Sequence, residues 1–187
     1  MCFCCRVVAG QLGLPLVPVV ALCEYRVGDE VHRRLRAYKD APLAEERAGC
    51  RRRLVADLAG AWADARHVSR LGSWAVVTTV PSTGRPAPAP VEALVDAVPG
   101  MGERHLRLLV RGPGDGGHLR AARDLFAPAP GVDRAGLADL PVLLVDDTTT
   151  TGATAQSAAA ALRLAGARVA GVLVLGRALA PSVGDHR

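Results

Sequence analysis

Apolar and polar positions alternate along this chain with two different periods. Runs rich in valine and leucine predict β-strands over residues 16–25, 74–80, 105–110, 142–145 and 168–175. Apolar residues three or four positions apart predict helices over residues 28–38, 43–67, 91–98, 118–126 and 152–165. Because strands and helices alternate, we expect an α/β fold with a mostly parallel central sheet flanked by helices.

Segments rich in proline and glycine separate these elements. Residues 81–90 read PSTGRPAPAP, which is too rich in proline for a helix or a strand. Residues 112–117 read GPGDGG, and we expect either a plain flexible connection or a lid over an active site. Residues 127–136 are a further predicted loop. We find no internal repeat, and the 187 residues fit one domain.

The composition favours a globular protein with an aliphatic core. Hydrophobic residues make up 50% of the chain and aromatic residues only 3%, which weakens any function that stacks nucleic-acid bases on aromatic rings. The net charge of +5 suits an anionic small substrate as well as a nucleic acid. Arginines cluster at residues 33–36 and 51–53 on the predicted solvent faces of two helices, so DNA is not the favoured partner.

The cysteines do not form a disulfide pattern. There are five of them, an odd number, and three crowd near residue 1, which favours a reducing compartment. The apolar stretch over residues 7–23 is similar to a signal peptide, but Pro15 and Pro18 interrupt it and no small-residue cleavage pattern follows. We therefore expect a cytoplasmic protein that does not span a membrane.

The stretch that carries most chemical information is residues 142–154, which read VLLVDDTTTTGAT. A buried strand leads to two adjacent carboxylates, Asp146 and Asp147, and then to a threonine- and glycine-rich turn before a helix. Ligands of open α/β sheets bind at the carboxyl ends of strands. The turn offers backbone N–H groups, hydroxyl donors and the positive end of a helix dipole, a combination that binds phosphate. Carboxylates beside a phosphate need hydroxyl groups or a cation as partners, and ribose hydroxyls and Mg²⁺ are the natural ones.

Other kinds of site with acidic residues at a strand end fit less well. A P-loop requires the pattern GxxxxGK[ST], which is missing, and Lys39 is the only lysine. A phospho-receiver domain pairs acids at a strand end too, but it needs a lysine elsewhere in its sheet. Capping of an ordinary helix would explain one or two of these residues, but not two acids followed by Thr-Thr-Gly-x-Thr.

Residues 142–154 resemble the ribose-phosphate signature of type I phosphoribosyltransferases: four apolar residues, two acids and Thr-Thr-Gly-x-Thr. A wider resemblance, to the ComF-like (competence protein F) branch, covers most of the chain from about residue 21. Its further elements are Tyr25, Arg26, Val27, Gly28, Val31, Arg34, Leu35, Lys39, the turn Val80-Pro81-Ser82 and residues 118–126. The resemblance implies the type I phosphoribosyltransferase fold over residues 21–187.

The resemblance also implies roles for single residues. Asp146 and Asp147 would hold the ribose hydroxyls of phosphoribosyl pyrophosphate (PRPP), directly or through Mg²⁺. Arg111 completes the implied catalytic set, at the base of a mobile catalytic loop over residues 112–117. The implied 5′-phosphate cradle is Thr150, Thr151, Gly152, Ala153 and Thr154. The implied pyrophosphate loop is Pro81, Ser82, Thr83 and Arg85.

The implied activity is Mg²⁺-dependent transfer of phosphoribosyl from PRPP to a nitrogen acceptor with release of pyrophosphate. Such an enzyme positions the reactants, neutralises the leaving group and excludes water. Purine-salvage members carry an acid where this chain has Thr150, which argues against a 6-oxopurine acceptor. Two alternatives stay open, a non-catalytic PRPP-binding regulator and a ComF-like accessory protein in DNA uptake. A homodimer is expected only by resemblance.

Residues 1–20 resemble the remnant of a zinc ribbon, which precedes the transferase core in many ComF-like proteins. Cys2 and Cys5 form one C-x-x-C pair. A structural zinc site requires two such pairs, and Cys23 and Cys50 each stand alone. We therefore do not expect zinc at Cys2 and Cys5.

Overall fold

Parallel strands form the central sheet of the protein. Its four strands are β1 (Val19–Tyr25), β2 (Val76–Thr79), β5 (Pro141–Thr149) and β6 (Arg168–Ala178), and their order across the sheet is β1-β6-β5-β2. A separate two-stranded antiparallel sheet pairs β3 (Leu109–Arg111) with β4 (Phe126–Pro128). The structure is a computed structural model that describes residues 1–64, 69–85 and 88–179.

Helices cover both faces of the central sheet. They are α1 (Phe3–Leu12), α2 (Glu30–Asp40), α3 (Ala44–Ala63), α4 (Glu92–Val95), α5 (Arg134–Leu137) and α6 (Ala153–Leu164). Single 3₁₀ turns lie at Ser69–Leu71 and Gly102–Arg104. Asp29 fixes the start of α2, because its carboxylate accepts a hydrogen bond of 2.8 Å from the backbone N–H of His32.

Alternate residues of β5 belong to two different hydrophobic layers. Leu143 and Val145 pack into a cluster with residues of α2, α3 and α4. Val142 and Leu144 face the other way and pack with α6 and the two-stranded sheet. Burial on both faces explains the continuous apolar run of this strand. The predicted α/β architecture, with a parallel central sheet flanked by helices, is confirmed.

The predicted strands β1, β2, β5 and β6 and the predicted helices α2, α3, α4 and α6 are present, with shifted ends. The largest shift is in β5, which does not end at Val145. Asp146, Thr148 and Thr149 still pair with β6, because β6 continues to Ala178 and supplies their partners. Helix α3 ends at Ala63, and residues 65–67 of the helix predicted there lie outside the described residues, as do residues 86–87 of the predicted proline-rich loop.

The helix predicted over residues 118–126 is wrong. Leu119 has a φ of 56°, which a helix does not contain. The side chain of Gln11 binds this segment twice, donating to the carbonyl of Leu119 at 3.1 Å and accepting from the backbone N–H of Ala121 at 2.8 Å. The segment then ends in β4 at Phe126. Long-range hydrogen bonds therefore override a local helical preference.

Two neighbouring predictions are wrong in part. The strand predicted over residues 105–110 is displaced toward its end, since β3 covers Leu109–Arg111. The loop predicted over residues 127–136 contains the end of β4 and the beginning of α5. The shift of β3 and the presence of β4 arise from their pairing, in which Arg111 lies opposite Phe126. Helix α5 begins after Asp133, whose carboxylate accepts a hydrogen bond of 3.0 Å from the backbone N–H of Ala135.

Helix α1 was not predicted from the sequence. Its first turn is capped by Cys2, whose Sγ accepts a hydrogen bond from the backbone N–H of Cys5 at 3.4 Å. Val8 and Leu12 are buried against α6 and the segment before β4. Within the part of the chain that the structure describes, no helix is long and apolar enough to cross a membrane. The resemblance of residues 1–20 to a zinc-ribbon remnant stays a prediction.

The glycine-rich segment over residues 112–117 packs closely against Asp124 and Leu125, the two residues that precede β4. The backbone N–H groups of Gly112 and Gly114 donate to the carbonyls of Leu125 and Asp124, each at 2.9 Å. A Cβ atom at Gly112 would lie 2.2 Å from the Asp124 carbonyl oxygen. Close approach of two backbones therefore requires glycine at this position. The spacing of these glycines also matches GxGxxG, but no helix follows, so the segment does not form the phosphate-binding turn of dinucleotide folds.

Gly112→Ala is expected to lower the free energy of unfolding by about 1–3 kcal/mol, because the added methyl group overlaps the Asp124 carbonyl and forces the backbone to shift. Urea denaturation measures this effect. Gly117→Ala is the matched control, since a Cβ atom there meets nothing within 4 Å. Equal losses in the two variants would contradict the close packing of Gly112.

Candidate functional site

The carboxyl ends of β5 and β2 open into a polar cleft. Two adjoining cavities of about 230 Å³ and 240 Å³ form it, and Asp146, Thr148 and Thr154 line both. The first cavity is also lined by Lys39, Pro81, Ser82, Thr83, Arg85 and Asp147. The second is also lined by Gly117, His118, Thr149, Thr150, Thr151, Gly152 and Ala153. The structure thus brings every residue of the predicted site except Arg111 to one cleft.

Asp147 is a largely buried acid of the cleft, and only 7% of it is exposed. Its Oδ2 lies 2.5 Å from Nζ of Lys39 and also accepts a hydrogen bond from the hydroxyl of Tyr38. Its Oδ1 accepts a hydrogen bond of 3.1 Å from the hydroxyl of Thr148. Burial, and then the negative charge of Asp147, raise the pKa of the Tyr38 hydroxyl, which therefore remains a donor.

Sequence reasoning missed Tyr38 and Lys39 as residues of the site. Both belong to the last turn of α2, which places them beside the end of β5. A lysine in the last turn also offsets the negative end of the helix dipole, where a carboxylate such as Asp147 would otherwise be disfavoured. The available signal was that Lys39 is the only lysine in a chain rich in arginine.

Asp146 is the carboxylate that faces both cavities. Its Oδ1 accepts a hydrogen bond of 2.8 Å from the backbone N–H of Asp147. Burial, and then the negative charge of Asp147, raise the pKa of Asp146 well above the usual range of an aspartate. The two neighbouring acids therefore differ in their surroundings. Asp147 contacts the ammonium group of Lys39, whereas Asp146 faces the cleft.

The turn between β5 and α6 has the geometry of an anion site. Gly152 has a φ of 80° and stands immediately before the first residue of α6, a helix of 12 residues. The first backbone N–H groups of a helix have no acceptor within it, and the helix dipole is positive there. The hydroxyl groups of Thr150, Thr151 and Thr154 belong to the same cavity. This end of the cleft suits a phosphate group.

The predicted pyrophosphate loop forms another wall of the cleft. It begins at Pro81, two residues after the end of β2, and it lines the same cavity as Asp146. Arg85 is the cation of this wall, and its guanidinium lies 2.5 Å from the carboxylate of the exposed Asp40. The hydroxyl of Ser82 accepts a hydrogen bond of 3.4 Å from the backbone N–H of Gly84.

Arg111 does not reach the acid pair. Its guanidinium donates to the carbonyls of Leu125 at 3.0 Å and Gly114 at 2.8 Å. It lines a neighbouring cavity of about 320 Å³, which shares Ser82 and Arg85 with the cleft. Arg111 thus lies on the far side of the residue 81–85 loop.

The carboxylates of Asp146 and Asp147 do not fit a divalent cation held by both of them. Three of their four oxygens already accept hydrogen bonds, and one of these also contacts the ammonium group of Lys39. Among the described residues there is no group of three or more His, Cys, Asp or Glu side chains placed to hold a metal ion. Mg²⁺ binds through one or two carboxylates and completes its octahedron with waters and phosphates, so the obstacle here is Lys39, whose ammonium group contacts Oδ2 of Asp147.

Comparison with known proteins adds no family assignment. No protein-family model matches the chain, and no curated protein matches it. The fold and the cleft define an α/β protein with a parallel four-stranded sheet and a polar site at the carboxyl ends of β5 and β2.

Proposed function

We propose that the cleft binds PRPP and that the protein is a phosphoribosyltransferase similar to the type I, ComF-like enzymes. One observation carries the proposal. The acid pair Asp146–Asp147, the turn over residues 150–154 and the loop over residues 81–85 line one continuous cleft. These three parts suit the three groups of PRPP: ribose hydroxyls, 5′-phosphate and pyrophosphate.

In the proposed reaction a nitrogen nucleophile attacks C1 of the ribose. The C1–N bond forms, the C1–O bond to pyrophosphate breaks, pyrophosphate leaves with the electron pair, and the proton of the nitrogen passes to solvent. Asp146 accepts hydrogen bonds from the ribose hydroxyls, and the residue 150–154 turn holds the 5′-phosphate, so the sugar is fixed at two points. Ser82, Thr83 and Arg85 stabilise the charge that develops on the leaving pyrophosphate.

Mg²⁺ enters this proposal as part of the substrate. A diphosphate binds Mg²⁺ through its own oxygens, and the cation neutralises charge on the leaving group. The residues of this chain then position the sugar and the leaving group, and Arg85 exchanges its exposed partner Asp40 for a phosphate oxygen.

A second candidate is a protein that binds PRPP without turnover. The position of Arg111 favours it, because this predicted catalytic residue is hydrogen-bonded to backbone carbonyls on the far side of the loop. Pyrophosphate release in the presence of a panel of nitrogen acceptors separates the two candidates. Release above the background rate supports the transferase, and binding without release supports the regulator.

The first test is calorimetric titration of PRPP with Mg²⁺ into the wild-type protein and into an Asp146→Asn, Asp147→Asn double variant. Loss of two charged acceptors is expected to weaken binding about 100-fold. Asp133→Asn is the control, because it changes an exposed carboxylate that caps α5 outside the cleft, and we expect wild-type affinity. A folded wild-type protein that does not bind PRPP would sink the proposal.

A further inference from the structure

Lys39 is the cation that neutralises Asp147. Its Nζ lies 2.5 Å from Oδ2 of Asp147, and the two side chains are only 20% and 10% exposed. The Tyr38 ring also faces this ammonium group, with 5.4 Å between Nζ and the ring centroid. A contact this close, largely removed from water, is much stronger than an ion pair on the surface.

The position that Lys39 occupies is the one that a divalent metal would need. A metal bound by both acids would share Oδ2 of Asp147 with the ammonium group, and the two cations would repel each other at contact distance. Oδ1 of Asp147 is also engaged, by the hydroxyl of Thr148. Metal binding at the pair would therefore require Lys39 to leave.

We infer that Lys39 takes the place of a divalent metal at the acid pair, so that ribose hydroxyls bind to this pair without Mg²⁺. The ligand comes from the proposed function, on which this inference rests. Lys39 neutralises Asp147 and keeps it from repelling the nearby phosphates. Asp146 remains as the acceptor for hydroxyl groups. Lys39 is a positioning residue, because it acts on the ligand through Asp147.

Titration with Mn²⁺ tests whether Lys39 excludes metal. Mn²⁺ takes the same oxygen ligands as Mg²⁺, and electron paramagnetic resonance detects its free form directly. We expect no binding at the acid pair in the wild-type protein or in Lys39→Arg, which keeps the charge. Lys39→Gln frees Asp147 and is expected to bind Mn²⁺ at least about tenfold more tightly. Adding Asp147→Asn to Lys39→Gln should abolish that gain.

Arg36→Gln is the charge-matched control for Lys39→Gln. Arg36 lies in the same helix and is exposed, so its loss should leave Mn²⁺ binding as in the wild-type protein. Near-ultraviolet circular dichroism checks that each variant is folded. If Lys39→Gln does not fold, the Mn²⁺ titration of the wild-type protein still tests the inference. Mn²⁺ binding that the Asp146→Asn, Asp147→Asn double variant removes would overturn the inference.

Ribose 5-phosphate, which lacks the pyrophosphate group, provides the second arm. Its affinity for the wild-type protein is expected to be equal in EDTA and in Mg²⁺. If the affinity for ribose 5-phosphate were about tenfold or more higher in Mg²⁺ than in EDTA, and the double acid variant lost this gain, the inference would be contradicted. If ribose 5-phosphate binds in neither solution, the proposed function fails, and the Mn²⁺ titration alone decides the role of Lys39.

Discussion

Asp147→Ala is expected to lower the free energy of unfolding by about 3 kcal/mol, because it leaves a largely buried ammonium group without its partner. The Lys39 side chain is only 20% exposed, so water replaces the lost carboxylate poorly. The hydroxyl of Tyr38, in a residue that is 1% exposed, loses its acceptor at the same time. Urea denaturation followed by tryptophan fluorescence measures the loss.

The control for Asp147→Ala is Asp40→Ala. It also removes a carboxylate from a basic partner, but the Asp40–Arg85 pair is 40% exposed on both sides. An exposed pair of this kind contributes less than about 1 kcal/mol. Asp147→Asn should fall between the two, because its one amide oxygen still accepts from Tyr38 or from Thr148, whose hydroxyls donate to different oxygens of the carboxylate. If Asp40→Ala and Asp147→Ala cost the same, Lys39 and Asp147 do not form a buried ion pair.

The central sheet could be predicted because its strands carry strong local signals. β5 and β6 are continuous apolar runs, since both of their faces are buried, and α6 follows as an alanine-rich helix. The end of β5 could not be predicted in the same way. Its last residues are polar, and they are held in the strand by pairing with β6, which is a long-range effect.

The segment before β4 shows the opposite case. Residues 118–126 contain good helix formers, but the structure satisfies their backbone with distant partners. Gln11 belongs to α1, a helix that the sequence pattern did not indicate. Without α1, the non-helical conformation of residues 118–126 could not be predicted either. Differences in helix propensity amount to a few tenths of a kcal/mol per residue, roughly, whereas one hydrogen bond contributes about 1 kcal/mol. Several tertiary hydrogen bonds can therefore outweigh the helix propensity of this segment.

Some residues of the candidate site could be predicted from local sequence, and others are brought to it only by tertiary packing. Asp146, Asp147 and the residue 150–154 turn are contiguous in the sequence, so one motif predicted their place at the end of a strand. Tyr38 and Lys39 reach Asp147 from a helix that is distant along the chain. Arg111 follows a predicted strand, yet the β3–β4 pairing turns its guanidinium toward the carbonyls of Leu125 and Gly114. Spacing within a motif is readable from one sequence, whereas contacts between motifs depend on packing.

Asp146→Asn is expected to raise stability and weaken ligand binding. Burial, and then the negative charge of Asp147, raise the pKa of Asp146, so the folded protein holds this proton more tightly than the unfolded chain. The stability that this group contributes is complete below its unfolded pKa of about 4 and is lost as the pH rises through the folded pKa. Above that range the ionised carboxylate disfavours the native state. The free energy of unfolding of the asparagine variant should therefore rise relative to that of the wild-type protein as the pH increases above about 4.

The same substitution should weaken binding of ribose 5-phosphate about tenfold, since a neutral amide replaces a charged acceptor for the hydroxyl groups. Urea denaturation from low to neutral pH and calorimetry at neutral pH measure the two effects on the same preparations. Asp133→Asn, at an exposed carboxylate, should change neither quantity with pH. A variant that lost stability at every pH would show that Asp146 is a structural acid. A substitution that raises stability and lowers affinity is the result expected for a carboxylate whose role is binding. Its negative charge lowers stability when the cleft is empty, and only the ligand compensates that charge.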